Sequence, residues 1–168
     1  MIPQATIQLE TLSRLEAYAG CVCVPSNTTE NLPAYPFISF TVINTEQKKG
    51  TYIPAIENGK RVLYMPVLQK WSFTVQSDKD AEAYEKALLI ADFFAEAGRQ
   101  ELADHGIIVA DVGNITPRDN LLTVEYEYRK GLDVTLRLNN VIAEPDNGTI
   151  EKVTLTSDTA SDIKLEKE

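Results

Sequence analysis

The sequence is poor in the residues that most catalytic and metal sites use. Among its 168 residues are one histidine, His105, and two cysteines, Cys21 and Cys23. One histidine offers a single imidazole for acid–base chemistry, and a Cys-x-Cys pair needs further cysteine or histidine ligands to hold a metal ion. Cysteines this close in sequence rarely form a disulfide. We therefore expect both to be reduced packing residues on a short strand, and we expect neither a metal nor a cofactor.

The chain also has little positive charge and no long apolar run. Sixteen Lys and Arg against twenty-five Asp and Glu give a net charge of -9. This balance disfavours a sequence-independent nucleic-acid binder, because such a protein displaces phosphate counterions with cationic side chains. No segment approaches the eighteen apolar residues of a membrane-spanning helix, so no membrane partner is expected. The composition is typical of one acidic globular domain, predicted over residues 1–156, followed by an acidic mobile tail over residues 157–168.

Two pairs of polar residues imitate catalytic arrangements. His105 follows Asp104, but adjacent side chains usually point apart, and no serine lies in a G-x-S-x-G context. Glu125 and Glu127 share one face of a predicted strand, as a pair of hydrolase carboxylates would. A solvated loop histidine and a charged strand face explain these pairs better. No phosphate-binding glycine motif is present either, so an enzyme is not expected.

A short acidic stretch resembles the start of a calcium-binding loop. Asp78, Asp80 and Glu82 have the right alternation, yet Ala83 stands where such a loop needs glycine. Ser77 or Asp78 can instead cap a helix that starts here, with Asp80 near the positive end of its dipole. Helix capping is the preferred interpretation.

Hydrophobic periodicity predicts two helices. The clearer helix covers residues 79–97, ends at Gly98, and has apolar residues at three- and four-residue spacing. These residues should form one buried stripe: Ala81, Tyr84, Ala87, Leu88, Ala91, Phe94 and Ala95. The second helix covers residues 4–19, ends at Gly20, and has the weaker stripe Ala5, Leu12, Leu15 and Ala19.

The remaining segments predict strands. Trp71, Phe73 and Val75 alternate with polar residues and should face the core. Residues 37–43 have apolar side chains on both faces of the predicted strand, which is typical of a central strand. Asn58-Gly59 lies between apolar residues, which is the strongest short-range signal for a hairpin.

The hairpin of residues 51–65 is expected to project as an arm. Pro54 and Pro66 flank its two strands, and a proline cannot donate a hydrogen bond to a neighbouring strand. We therefore expect this hairpin to lie away from the centre of the sheet.

Residues 122–138 predict an unusually long strand. Even positions are apolar, with Lys130 as the only break. One continuous strand or a three-residue turn pairing Tyr128 with Leu132 would keep this phase, and we favour one strand kinked by a bulge at Gly131. A strand of this length would run about 55 Å, whereas a compact domain of this size has a radius of gyration of about 15 Å. It is expected to overhang and to offer backbone groups to a neighbouring subunit.

The order of these elements predicts an α+β fold. We expect a mainly antiparallel sheet with two helices packed on one face, plus a projecting hairpin arm. Near the C-terminus, residues 145–148 (PDNG) predict a turn and residues 149–156 a weak edge strand.

Two stretches of the sequence resemble the phage neck or tail terminator family. One is YPFISF at residues 35–40; the other is RDN at residues 118–120, followed by YEYRKGLDV at residues 126–134. The strand–Trp–Phe–helix unit of residues 71–94 falls between them in matching order, so the resemblance covers residues 33–138. Leu132 departs from the family pattern, in which an aromatic residue is commoner.

The resemblance implies a structural virion protein assembled in the host cytoplasm. Such proteins form a ring, typically a hexamer, on the head-proximal end of the tail or neck. The ring stops tube polymerisation and contacts further copies of itself, the tail tube protein and the head-completion or connector proteins. Genomic DNA passes through its lumen without specific binding. The alternatives are another head–tail connector, such as a head-completion or tail-tube protein, and a small-ligand-binding α+β domain.

Five residues are candidates for subunit contacts in such a ring. Arg129 and Asp133 lie on one strand face on either side of Gly131, and either contact a neighbour or form a simple ion pair within the sheet. Tyr128 lies on the same predicted strand. Asn58 and Gly59 would form the tip of the arm.

Overall fold

The structure, a computed structural model, describes residues 2–28, 31–121 and 126–143. The elements in chain order are α1 (Gln4–Ala19), β1 (Cys23–Pro25), β2 (Phe37–Lys48), β3 (Ile53–Glu57), β4 (Lys60–Ser77), α2 (Asp80–Asp92) continued by a π-helical turn (Phe93–Ala97), α3 (Arg99–Asp104), β5 (Ile108–Val112), β6 (Thr116–Pro117), β7 (Asn120–Leu121) and β8 (Tyr126–Ala143). The α+β prediction is confirmed, with three helices where two were expected. The predicted turn at 145–148, the strand at 149–156 and the tail at 157–168 lie outside the described residues.

The strands form one open sheet in the order β1-β2-β4-β8-β5. β1 runs parallel to β2, and the other pairs of neighbours are antiparallel. β3 pairs with the first part of β4, whereas β6 and β7 pair with β8. The central ladder joins β4 to β8 along the whole of residues 62–77.

The core lies between this sheet and the helices. Trp71, Phe73 and Val75 on β4 are fully buried, as the alternation predicted. The register places Trp71 opposite Val134 and Phe73 opposite Leu132, so both strands present apolar side chains to the same side. α2 packs over β4 and β8, where the rings of Phe73 and Phe94 lie 5.1 Å apart.

The buried face of α2 overlaps the predicted stripe only in part. Tyr84 and Leu88 are 49% and 40% exposed, whereas the helix buries Ala83, Ala87 and Ile90. Small alanine side chains let the helix backbone approach the sheet closely, and this closer packing decides between two faces that are both apolar. The predicted stripe is therefore confirmed for Ala87 and Phe94, which are fully buried, and for Ala91, which is partly buried against the core, but it is wrong for Ala81, Tyr84, Leu88 and Ala95, which are exposed.

α1 has the predicted bounds but a different buried face. It ends at Gly20, whose φ of 64° is the left-handed conformation of a C-terminal glycine. Its buried residues are Ile7, Thr11, Leu15 and Ala19. Of the predicted stripe, Leu15 and Ala19 are buried, Leu12 is half-buried and Ala5 is exposed.

Gly98 follows the π-helical turn, but it does not adopt the left-handed conformation of a C-terminal glycine. Its φ is -96°, which any residue can adopt. A Cβ atom at this position would overlap the buried ring of Phe93. The position therefore needs glycine for the close approach of an aromatic ring, and α3 begins directly after it.

The hairpin at Asn58-Gly59 is confirmed. Asn58 and Gly59 have φ values of 51° and 76°, as a type I′ turn requires, and Glu57 pairs with Lys60. The hairpin lies at one end of the sheet, where β3, β4 and the last residues of β8 form a three-stranded arm.

The expectation that Pro66 keeps its strand out of the centre of the sheet is wrong. Pro66 belongs to β4, which lies between β2 and β8. Its carbonyl accepts a hydrogen bond from the N–H of Lys49 (3.0 Å), which lies between β2 and β3 in the chain. The backbone C=O of Pro66 therefore points to the side of β4 on which β2 and β3 lie. The N–H and C=O of a strand residue point to the same side, so the proline removes no hydrogen bond from the ladder with β8.

β8 is one continuous strand, as predicted, but the predicted bulge at Gly131 is absent from it. The register runs without a shift through the pair Thr74 and Gly131, and the strand extends to Ala143. The bulges occur instead in β2, between Val42 and Gln47, and in the ladder of β5 with β8. Residues 122–125 of the predicted strand lie outside the described residues.

We expect Gly98→Ala to destabilise the fold by about 1–3 kcal/mol, because the added methyl group overpacks the site against Phe93. Urea unfolding of the purified protein would measure the change. In a Phe93→Leu background the same substitution should cost clearly less, since the ring is gone. Equal costs in the two backgrounds would contradict this explanation.

Candidate functional site

The face of the sheet opposite the helices carries a network of polar side chains centred on Arg118. This arginine lies between β6 and β7 and extends across β8 and β4. Its Nη1 donates to Ser72 Oγ (2.7 Å) and Thr74 Oγ1 (2.9 Å), and its Nη2 donates to Asp133 Oδ1 (2.9 Å). One guanidinium therefore ties a loop to the two central strands.

Asp133 is the anionic partner in this Arg118 network. Besides Arg118, it accepts a hydrogen bond from Ser72 Oγ (2.8 Å) and lies 3.1 Å from Lys70 Nζ. Partial burial opposes its ionisation, but the hydrogen bonds from Ser72, Arg118 and Lys70 outweigh that effect and lower the pKa of its carboxyl group below the ordinary value. Asp133 is therefore ionised throughout the neutral range.

Gly131 is the residue that lets Arg118 lie against the strand. A Cβ atom on Gly131 would be 2.7 Å from the Nε, Cζ and Nη1 atoms of Arg118. The glycine is thus required for a close side-chain approach and not for a bulge.

A second charged group lies at the start of β8. Glu127 is only 3% exposed, accepts a hydrogen bond from the Tyr35 hydroxyl (2.6 Å), and is ion-paired with Arg129. Tyr35 stacks on Phe37 at the start of β2, with ring centroids 5.6 Å apart. Glu127 therefore connects β8 to the segment that leads into β2.

Lys130 explains the break in the apolar pattern of β8. It is 8% exposed, and its Nζ lies 2.7 Å from Asp80 Oδ1 at the start of α2 and 2.9 Å from Asp119 Oδ1. Burial opposes its charge, but the two carboxylates outweigh this effect and raise the pKa of Lys130. The hydrogen bond from Lys130 lowers the pKa of Asp119. Lys130 thus joins a helix, a loop and a strand.

A cleft of about 510 Å³ lies beside the Arg118 network. Arg118 and Arg129 form part of its wall, and the segment after β1 forms the other side. Its polar groups already bond to one another: Gln76 Nε2 donates to Ser39 Oγ (2.8 Å), and Arg118 donates to Thr74. Both arginines of the cleft are ion-paired with carboxylates, Arg118 with Asp133 and Arg129 with Glu127, so the side chains of the cleft serve first to hold the strands and loops together.

The pairs that imitated catalytic arrangements have structural partners. His105 caps the end of α3, where its Nδ1 contacts the Glu101 carbonyl (2.9 Å) and its Nε2 contacts Arg14 of α1 (3.3 Å). Asp104 accepts a hydrogen bond from Gln100 instead. His105 is thus a bridge between α1 and α3 and not a purely solvated loop residue. Glu125, the second carboxylate of the hydrolase-like pair with Glu127, lies outside the described residues.

The prediction that Ser77 or Asp78 caps α2 is wrong, because the residue at the N-cap is Lys79 and no side chain makes a capping hydrogen bond there. Ser77 Oγ accepts a hydrogen bond from the N–H of Lys79 (3.1 Å) and donates one to the Glu82 carboxylate (2.6 Å). Asp80 pairs with Lys130. Among the described residues, no three His, Cys, Asp or Glu side chains come together in a way that could hold a metal ion.

Cys21 and Cys23 are both free thiols. Cys21 is 4% exposed and belongs to the core, and Cys23 is half-buried on β1. Burial is the main reason that the pKa of Cys23 is raised to about 12, with the nearby Glu16 adding to the effect. A thiol with such a pKa is unreactive at neutral pH.

The structure separates the five residues predicted as subunit contacts. Arg129 pairs with Glu127 and Asp133 pairs with Arg118, so the two charges do not pair with each other. Tyr128 is partly buried against the core on the opposite face of β8. Asn58 and Gly59 form the exposed tip of the arm. Their contacts with other subunits stay a prediction.

Sequence reasoning missed Arg118 as the centre of the network. The residue stood out only as part of the RDN segment, and no periodicity relates that loop to β4. Glu127 and Lys130 were visible as polar residues on a long strand, but their partners lie 92 and 50 positions away, at Tyr35 and Asp80. Such long-range pairs depend on how the chain folds back on itself.

The described network consists of contacts between strands, loops and helix ends within the subunit. A family model for the phage neck terminator protein matches residues 8–163, nearly the whole chain. The protein therefore belongs to the phage neck terminator family, whose members are structural proteins of the phage neck and virion that contact other head and tail proteins. The comparison with curated proteins finds no match. No helix in the described ranges is both long and apolar enough to cross a membrane.

We expect Gly131→Ala to displace the Arg118 guanidinium and to lower stability by about 1–2 kcal/mol, since hydrogen bonds to charged groups are lost while the flexible side chain moves aside. Chemical denaturation would measure the loss. In an Arg118→Met background the substitution should be nearly neutral. A full-sized effect there would show that Arg118 is not the reason for the glycine.

The stability of the protein should depend on pH through Asp133 and Asp119. Both carboxyl groups have a pKa below the ordinary value of 3.8, so their stabilising contribution is present above about pH 4 and is lost as the pH falls through the folded-state values. The difference in unfolding free energy between the wild type and Asp133→Asn should shrink as the pH falls from 5 to 2. For Asp111→Asn, at an exposed position of β5, the unfolding free energy should change with pH in the same way as that of the wild type. A constant difference for Asp133→Asn across this range would rule out the linkage.

Proposed function

We propose that this protein forms a homohexameric ring on the head-proximal end of the phage tail. The ring ends polymerisation of the tail tube and joins the tail to the head-completion or connector proteins. Genomic DNA passes through its lumen without specific binding, consistent with the net charge of -9. Membership of the phage neck terminator family carries this proposal.

The shape of the subunit supports assembly with further copies. β4 and β8 each have eighteen residues and extend about 60 Å, whereas α2 with its π-helical turn covers about 27 Å. α2 therefore covers less than half of the length of these two strands. β3 at the edge of the arm exposes Ile53 and Ile56, which are 58% and 80% exposed. Large apolar side chains on an edge strand are typical of a surface that another chain covers.

A phage lacking this protein should produce tails of abnormal length that do not join heads, because nothing ends the tube or bridges the two structures. Electron microscopy of lysates would measure tail length and the fraction of heads with tails. Expression of the wild-type chain from a plasmid should restore both.

The alternatives give different outcomes in the same experiment. Loss of a tail-tube subunit would leave no tails, and loss of a head-completion protein would leave tails of normal length beside heads that fail to keep their DNA. Tails of normal length joined to filled heads would overturn the proposal altogether.

A further inference from the structure

α2 carries an exposed apolar stripe that the core does not use. Tyr84 and Leu88 are 49% and 40% exposed, and Ala81 and Ala95 on the same side are exposed as well. α1 packs against the other side of the helix, where Lys86 Nζ donates to the Ala19 carbonyl (2.7 Å). An apolar stripe that faces solvent on a long helix is typical of a docking surface.

The surroundings of this stripe are acidic. α2 and its π-helical turn contain five acidic residues and one lysine, and Glu85 and Asp92 are exposed next to the stripe. A partner for this surface should therefore combine exposed apolar side chains with positive charge.

The arm of the same protein has that combination. Ile56, which is 80% exposed, lies two positions before the turn, and Lys60 and Arg61 follow the turn directly. All three side chains are exposed. In the register of the hairpin, Ile56 pairs with Arg61 on one face and Glu57 pairs with Lys60 on the other. The tip therefore combines an apolar side chain with two cations and one carboxylate, a net charge of +1.

The two surfaces lie on opposite flanks of the subunit. β3 runs along β4 on the same side as β2, and α1 lies on this side too, since Gln4 bonds to Gln69 and Glu16 bonds to the N–H of Cys23. The stripe of α2 lies on the side of the helix away from Lys86 and α1, and α2 itself packs over β4 and β8. Complementary surfaces on opposite flanks are what a head-to-tail ring of identical copies requires.

We propose that the arm of one copy, through Ile56, Lys60 and Arg61, packs on the Tyr84–Leu88 stripe of α2 in the next copy. Lys60 and Arg61 then lie near Glu85 and Asp92 of the neighbour. This inference rests on the ring proposed above and names the contact that closes it.

A charge exchange between the two surfaces tests the contact. The variant Lys60→Glu/Arg61→Glu makes the arm acidic, and the variant Glu85→Lys/Asp92→Lys makes the stripe basic. Each variant alone should need at least about tenfold more protein for half-assembly, because like charges then face each other at every contact. Light scattering after size exclusion and negative-stain microscopy, with and without purified tails of the phage, would measure assembly.

Mixing the two variants should restore assembly. In a ring with alternating copies, an acidic arm meets a basic stripe at one contact and a basic arm meets an acidic stripe at the next, which a hexamer permits. The single chain with all four substitutions should also assemble. Arg137→Glu and Asp111→Lys, at exposed positions of β8 and β5, are matched controls that should assemble like the wild type.

The outcomes separate this contact from the ring itself. A wild type that stays monomeric with and without tails overturns the proposed ring and this contact with it. A wild type that assembles, together with charge variants that assemble equally well, overturns the contact alone. Loss of assembly that neither mixing nor the fourfold variant restores also overturns it. Equal thermal unfolding midpoints of all variants would show that the substitutions act on assembly and not on folding.

Discussion

The structure depends on the pairing of β4 with β8. Sixteen consecutive residue pairs join residues 62–77 to residues 143–128 without a shift in register. Because side chains alternate between the faces of a strand, one register sets both faces along the whole length. A shift of one residue would place Trp71 and Val134 on opposite faces of the sheet, so that one of the two strands would expose its apolar side chains and bury its polar ones.

The two faces of this ladder have different roles. One face, with Phe73 and Leu132, packs under α2 and forms the apolar core. The other presents Ser72, Thr74 and Asp133 to the guanidinium of Arg118, which holds the loop between β6 and β7 in place. The core supplies burial of apolar area, whereas the polar network supplies specific geometry for loops that have little apolar surface of their own.

The length of the ladder also explains the shape that assembly would use. The helices cover only part of β4 and β8, so the sheet continues as an arm whose outer strand is β3. At the other flank, the choice of Ala83 and Ala87 for close packing leaves Tyr84 and Leu88 in solvent. Both apolar surfaces follow from how the helices sit on one long ladder, and both are exposed in the single subunit.

The sequence by itself determined the features that depend on neighbouring residues. Period-two alternation identified the core strands, Asn58-Gly59 located the turn of the arm, and Gly20 marked the end of α1, since each signal needs only local backbone geometry. The tertiary structure alone decided which apolar face of α2 is buried and why Gly98 and Gly131 are glycines. It also decided that the charge of Asp133 belongs with Arg118. Those outcomes depend on side chains far away in sequence, because close packing and charge pairing act through space and not along the chain.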